Sequence, residues 1–158
     1  PQYVTDENIS DTILEGDIIF MGVDNNKSRK MISDYCLRKK NIFLLSGGNE
    51  LYDGTVQLMH RKSGKWIPPS YYSLSYLHPE IANPQDKHPD EVGCFEMVEA
   101  APQLLFVNRT VATHMLNIFL STYILGRRGL GIGYFDILAH TLVTRDRISR
   151  PKREKKKG

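Results

Sequence analysis

From Gly16 the chain runs Asp17-Ile18-Ile19-Phe20-Met21-Gly22-Val23, apolar and largely β-branched with no polar alternation. A strand covered on both faces has that pattern, so the run predicts a central parallel strand. Asp24-Asn25-Asn26 supplies the side-chain oxygens of a helix N-cap. Met31, Ile32, Tyr35 and Cys36 then recur on one helical face while Lys27, Arg29, Lys30 and Asp34 occupy the other. Arg38-Lys39-Lys40 complements the negative end of that helix. A second apolar run, Asn41-Ile42-Phe43-Leu44-Leu45-Ser46, predicts another short buried strand ending at Gly47-Gly48-Asn49. Strand, helix and strand in this order imply two parallel strands with a right-handed crossover.

The period changes downstream. Residues 55–60 alternate, with Val56 and Leu58 on one side and Gln57 on the other, and Ser63-Gly64-Lys65 turns the chain back through Trp66-Ile67, which predicts an antiparallel edge. Residues 68–89 hold five prolines and no sustained period, so they read as a long irregular excursion. A short helix is expected from Asp90 through Val98. Residues 109–125 form the strongest helical pattern, with Val111, Met115, Ile118, Phe119 and Thr122 near one stripe and Leu116, Leu120 and Ile124 widening it. Apolar nearly all round, this helix is expected to be buried or to lie at a subunit interface. Residues 134–143 predict a last strand, and Thr5 or Asp6 ahead of Glu7 to Leu14 predicts a capped N-terminal helix. No internal repeat or second domain is evident.

Charge divides the chain unevenly. The 158 residues carry a net +3, yet residues 145–158 hold eight Lys/Arg against Asp146 and Glu154, so the body before them is net negative. The basic character belongs to a terminal tail, whose simplest expectation is a solvated, disordered segment without a nucleic-acid role. Cys36 and Cys94 are the only cysteines and form no CxxC pair, so neither a disulfide framework nor a four-thiolate zinc site is encoded. That usage fits a reducing cytoplasm, and no apolar run has the length of a membrane span.

Two places offer chemistry. The first is the strand end. Asp24 at the C-terminal end of a parallel strand faces the crevice where α/β proteins bind ligands, and Asn25 and Arg29 are expected along the same rim. A carboxylate there can hold a Mg²⁺ bridging nucleotide phosphates, and a guanidinium can offset phosphoryl charge; the same Asp and Asn also serve as plain helix caps. The second is Cys94, the candidate nucleophile, although Asp90, Glu91, Glu96 and Glu99 around it disfavour a thiolate. Cys36 lies on the apolar helix stripe and reads as core. Asn108 reads as the cap of the long helix, with Asn108-Arg109 an alternative means of orienting a substrate tail. His60, His78, His88, His114 and His140 show no metal-ligand spacing, and His114 reads as a core or interface histidine. Gly129-Leu130-Gly131-Ile132-Gly133 follows a helix and precedes a strand, the reverse of a dinucleotide loop, and reads as a connector.

The segment GDIIFMGVDNNKSRKMISDYCLRKKNIFLLSGGNELYDGTVQL resembles the middle of ThiF, MoeB and ubiquitin-activating-type enzymes, and within them the ThiF proteins of bacterial PRTRC-type gene clusters. The later APQLLFVNRTVATHMLNIFLSTYI is similar to that family's interface helix. The likeness spans residues 3–125. It implies the C-terminal half of a partial Rossmann-like mixed sheet over residues 1–144, a loop over 68–103 carrying Cys94, an interface helix over 108–125, and a basic tail over 145–158. By the same resemblance the chain belongs to an ATP-dependent adenylyltransferase acting on a ubiquitin-like or sulfur-carrier protein. Asp24 would bind the metal-nucleotide, Asn25 would contact the nucleotide and Cys94 would accept a thioester. The resemblance further implies a homodimer or a complementary N-terminal half as partner. The family's glycine-rich phosphate loop lies before this block, so the chain alone is expected to be inactive. Where relatives carry two CxxC pairs for zinc, this sequence has none.

Overall fold

The computed structural model describes residues 3–70, 72–87, 105–127 and 131–145. The elements run α1 (Ile9–Thr12), β1 (Ile18–Met21), α2 (Asn26–Cys36), β2 (Ile42–Asn49), β3 (Asp53–Lys62), β4 (Lys65–Trp66), α3 (Leu74–Leu77), α4 (Pro79–Ala82), α5 (Leu105–Ile118), a π-helical turn at Phe119–Ile124, β5 (Ile132–Asp136) and β6 (Thr141–Arg145). The strands form one mixed sheet in the order β1-β2-β3-β5-β6, with β4 paired to β3. Among the described strands only β1 and β2 pair in parallel. The expected mixed α/β architecture is present.

The unbroken apolar run of β2 serves two cores at once, because successive side chains leave a strand on opposite faces. Ile42 and Leu44 join Met21, Ile32, Cys36, Met59, Leu74 and Ile81 on the side covered by α1–α4. Phe43 and Leu45 join Val56, Leu58, Val107, Val111 and Met115 on the side covered by α5. The result is helix, sheet and helix in three layers, with β2 and β3 in the middle.

Three strand expectations require correction. β1 is an edge strand, not a central one: among the described residues nothing pairs with its far side, and Ile18 and Phe20 stay 38% and 44% exposed. Only the face carrying Ile19 and Met21 packs into the α1–α4 core, and position in the sheet depends on pairing that the run does not encode. β3, expected at an edge, is central, paired with β2, β4 and β5. The single strand expected over 134–143 is a hairpin, β5 and β6, because Asp136 accepts from the N–H groups of Leu138 and Ala139 at 2.8 Å and turns the chain.

Among the helices, α2 begins where its cap chemistry indicates, with Asn25 Oδ1 accepting from the N–H of Ser28 at 2.9 Å. α1 is shorter than expected, and its N-cap is Asn8 in place of Thr5 or Asp6. α5 begins by Leu105, which makes Asn108 an internal helical residue and removes its role as the cap. The stripe Val111, Met115, Ile118 and Thr122 is buried as expected, whereas Leu116, Leu120 and Ile124 are exposed in this chain. Among its described residues the excursion after Ile67 is irregular apart from α3 and α4, which anchor it in the core through Leu74 and Ile81. The helix expected from Asp90 through Val98 and residues 146–158 lie outside the described residues. Among the described residues no helix is long and apolar enough to cross a membrane.

Candidate functional site at the end of the parallel strands

A cleft of about 290 Å³ opens beyond the C-terminal ends of β1 and β2. Gly22 and Asp24 border it from the β1 side, and Gly47 and Asn49 from β2. Asn108, Val111, Ala112 and Met115 close it from α5, on one stripe of that helix because they are spaced i, i+3, i+4, i+7. Val111, Ala112 and Met115 thus give the cleft an apolar lining, to which Asp24, Asn49 and Asn108 add a carboxylate and two carboxamides.

Two glycines with opposite orientations shape this end of the sheet. A Cβ built on Gly47 would lie 2.5 Å from Val111 Cγ1 and 2.6 Å from Met115 Sδ, so α5 rests directly on the β2 backbone. A Cβ on the next residue, Gly48, would enter the guanidinium of Arg29, which arrives from the α2 side. Alternation along β2 thus places Asn49 with Gly47 on the α5 face.

The expected rim is divided by this geometry. Asp24 is exposed at the cleft. Asn25 is the cap of α2, and its Nδ2 donates to the carbonyl of Lys87. Arg29 donates from Nη2 to the carbonyl of Gly47, one step past the last β1–β2 register pair, Met21 with Ser46. Burial lowers the guanidinium pKa, opposed by the negative charges of Asp24 first, then Glu80 and Asp86. Arg29 therefore feels Asp24 electrostatically while its hydrogen bond is given to the backbone.

The N-terminal turn of α2 is already capped. The Asp86 carboxylate accepts from the N–H of Asn26 and, at 3.0 Å, from that of Lys27, while the Asn25 side chain takes the N–H of Ser28. Nothing in the sequence marks Asp86, which sits in the proline-rich excursion 60 residues from the helix it caps. Asn49 had a signal in its place after Gly47-Gly48, where a buried strand ends.

Among the described residues no group of three His, Cys, Asp or Glu side chains could hold a metal ion. Asp24 and the two carboxamides that line the same cleft are hard oxygen donors of the type that suits Mg²⁺, which keeps most of its waters and needs few protein ligands. Cys36 is fully buried in the α2 core as expected, and burial pushes its thiol up to about 12. His114 stacks on Phe135 with ring centroids 5.6 Å apart, in keeping with a structural histidine. Cys94, the proposed nucleophile, and the acidic residues beside it lie outside the described residues. No protein-family model matches the chain, and no curated protein matches it.

Proposed function

We propose that this chain is the C-terminal part of an ATP-dependent adenylyltransferase that activates the C-terminal carboxylate of a ubiquitin-like or sulfur-carrier protein. The observation that carries the reading is Asp24, exposed three residues beyond the end of β1, the strand that pairs in parallel with β2, and bordering a cleft of about 290 Å³. Ligands of open α/β sheets bind at that end. In the reaction the carrier carboxylate attacks the α-phosphorus of ATP. A carboxylate–phosphorus bond forms, the bond to the bridging oxygen breaks, and pyrophosphate leaves with its electron pair. Mg²⁺ would offset the phosphoryl charge, with Asp24 as its protein ligand. Arg29 contributes positive charge near the strand end, and Asn25 positions the Asp24 backbone by holding the α2 cap. Cys94 would take the acyl group from AMP as a thioester. The chain alone is proposed to lack the phosphate loop and so to catalyse nothing by itself; its partner is a second copy or a complementary N-terminal half. The edge of β1, unpaired among the described residues, and the exposed Leu116, Leu120 and Ile124 of the helical layer support a partner.

Equilibrium binding of ATP with and without Mg²⁺ tests the reading. Magnesium-dependent binding should weaken by about tenfold or more in Asp24→Ala, since one carboxylate ligand is lost. Binding that ignores both magnesium and this substitution ends the proposal. Magnesium-dependent pyrophosphate exchange by the isolated chain, lost in Asp24→Ala, would end the claim that it is inactive alone.

A second reading, a non-catalytic scaffold of the same ancestry, is favoured by one observation: Asn25 and Arg29 both make hydrogen bonds to the protein's own backbone. Retained folding and partner binding with no effect of Asp24→Ala on ATP binding would select it.

A further inference from the structure

Two side chains of the cleft have no part in the function proposed above. Asn49 and Asn108 come from different elements, the end of β2 and the first turns of α5, and both border the same space as Asp24. Their convergence follows from the fold. The β1–β2 pairing ends at Met21 with Ser46, and beyond it the two chains run on to the cleft, which Asp24 borders from the β1 side and Asn49 from the β2 side. Alternation puts Asn49 on the face that Gly47 shares with α5. The absent Cβ of Gly47 then lets Val111 and Met115 settle on the strand, which carries Asn108, three and seven residues earlier on the same stripe, over the strand ends.

We propose that Asn49 and Asn108 complete an oxygen cradle with Asp24 and are direct ligands, through their Oδ1 atoms, of a divalent cation of the Mg²⁺ or Mn²⁺ type. This rests on the reading of Asp24 as a metal ligand and extends it to the two residues that set which cation is taken. One carboxylate and two carboxamides form a hard donor set without nitrogen or sulfur, which disfavours zinc and copper. With a single formal negative charge the cradle holds a bare cation weakly, and added phosphate oxygens tighten it; metal affinity scales with ligand charge. The three donors belong to three separate elements, so the site exists only when α5 is seated on β2. The cation thus reads the packing at Gly47.

Paramagnetic broadening by Mn²⁺ alone, followed on the backbone amides of the full chain, tests the assignment at the weak affinities expected. Substoichiometric Mn²⁺ should selectively broaden the amides of Gly22, Asp24, Asn49 and Asn108. Asn49→Ala and Asn108→Ala should each weaken binding by about tenfold, and Asn108→Asp, nearly isosteric and one charge more negative, should strengthen it by about as much. The gain from Asn108→Asp separates a ligand from a residue needed only for folding, and the amide spectrum reports whether each variant stays folded. Broadening abolished by Asp24→Ala but unchanged in all three asparagine variants overturns this inference and leaves Asp24 as the metal ligand. Absent broadening at the cleft, or broadening unchanged by Asp24→Ala, overturns both readings.

Discussion

Arg29 donates to the carbonyl of Gly47 at 2.5 Å through the space that the missing side chain of Gly48 leaves open. The two glycines do different work: the first lets α5 approach, and the second admits a guanidinium where β1 has ended and supplies no strand partner. Gly48→Ala should displace the flexible end of Arg29 and strip the Gly47 carbonyl of that donor, costing about 1–3 kcal/mol, the penalty of an unmade buried hydrogen bond. In an Arg29→Met background the same methyl meets less obstruction and has no bond to break, so its cost should fall. Urea unfolding of the four proteins in this cycle measures the coupling. Equal costs in both backgrounds would show that Gly48 is constrained by something other than Arg29.

Asp86 should matter to α2 more than its loop position suggests. Its carboxylate takes two of the N–H groups that no helical carbonyl can reach, and a negative charge there also opposes the positive end of the helix. Asp86→Ala should destabilise the protein by about 0.5–2 kcal/mol, the usual range for loss of an N-terminal cap. Amide hydrogen exchange at Asn26 and Lys27 should accelerate while Ser28, held by Asn25, keeps its protection. Unchanged exchange at both positions would mean that the contact is not maintained in solution.

Cys36 should be inert until the protein unfolds. With its thiol near 12, the thiolate fraction at pH 8 is on the order of 10⁻⁴, and the buried sulfur is also shielded from reagent. Alkylation at pH 8 should therefore spare Cys36 in native protein and modify it in urea, as mass spectrometry of the tryptic peptide can show. The shift also fixes a pH dependence. Folding raises this pKa from 9.0 to about 12, so the contribution is complete below pH 9 and is lost as pH rises from there to about 12, at up to about 1.4 kcal/mol per pH unit. Cys36→Ala should flatten that alkaline decline.

The local grammar of the chain was legible, and its pairing was not. The β1–α2–β2 unit, the Asn25 cap and the hairpin through Ser63-Gly64 could be read because each depends on residues a few positions apart. The edge position of β1 could not: Ile18 and Phe20 look like core from their neighbours, and their exposure depends on what pairs beside them. The site divides in the same way. Asp24 was evident as a carboxylate ending a strand, whereas the separation of Arg29 from the cleft depends on Gly47 and Gly48 facing opposite helices. Asn108 was misread as a cap because the apolar stripe marks the face of α5 but not its first residue.

His78 offers the sharpest electrostatic test on the α2 side of the sheet. It is 8% exposed between α3 and α4, its Nδ1 lies 3.0 Å from Glu80 Oε1, and its ring lies 6.4 Å from that of Tyr134. Burial depresses its pKa below 6.5, Glu80 opposes the depression by charge and hydrogen bond, and Arg29 adds to it. A depressed pKa contributes stability that is present above 6.5 and lost as pH falls through the folded value, because the unfolded chain takes up the proton first. His60, depressed by burial and by Lys62, adds to the same acid loss. Stability should therefore decline below about pH 6.5, more gently in His78→Gln. The neighbours give opposite signs in an NMR titration of the His78 ring: Glu80→Gln should lower its pKa further, and Arg29→Met should raise it. If neither substitution moves the titration, the His78 ring does not sit among these charges in solution.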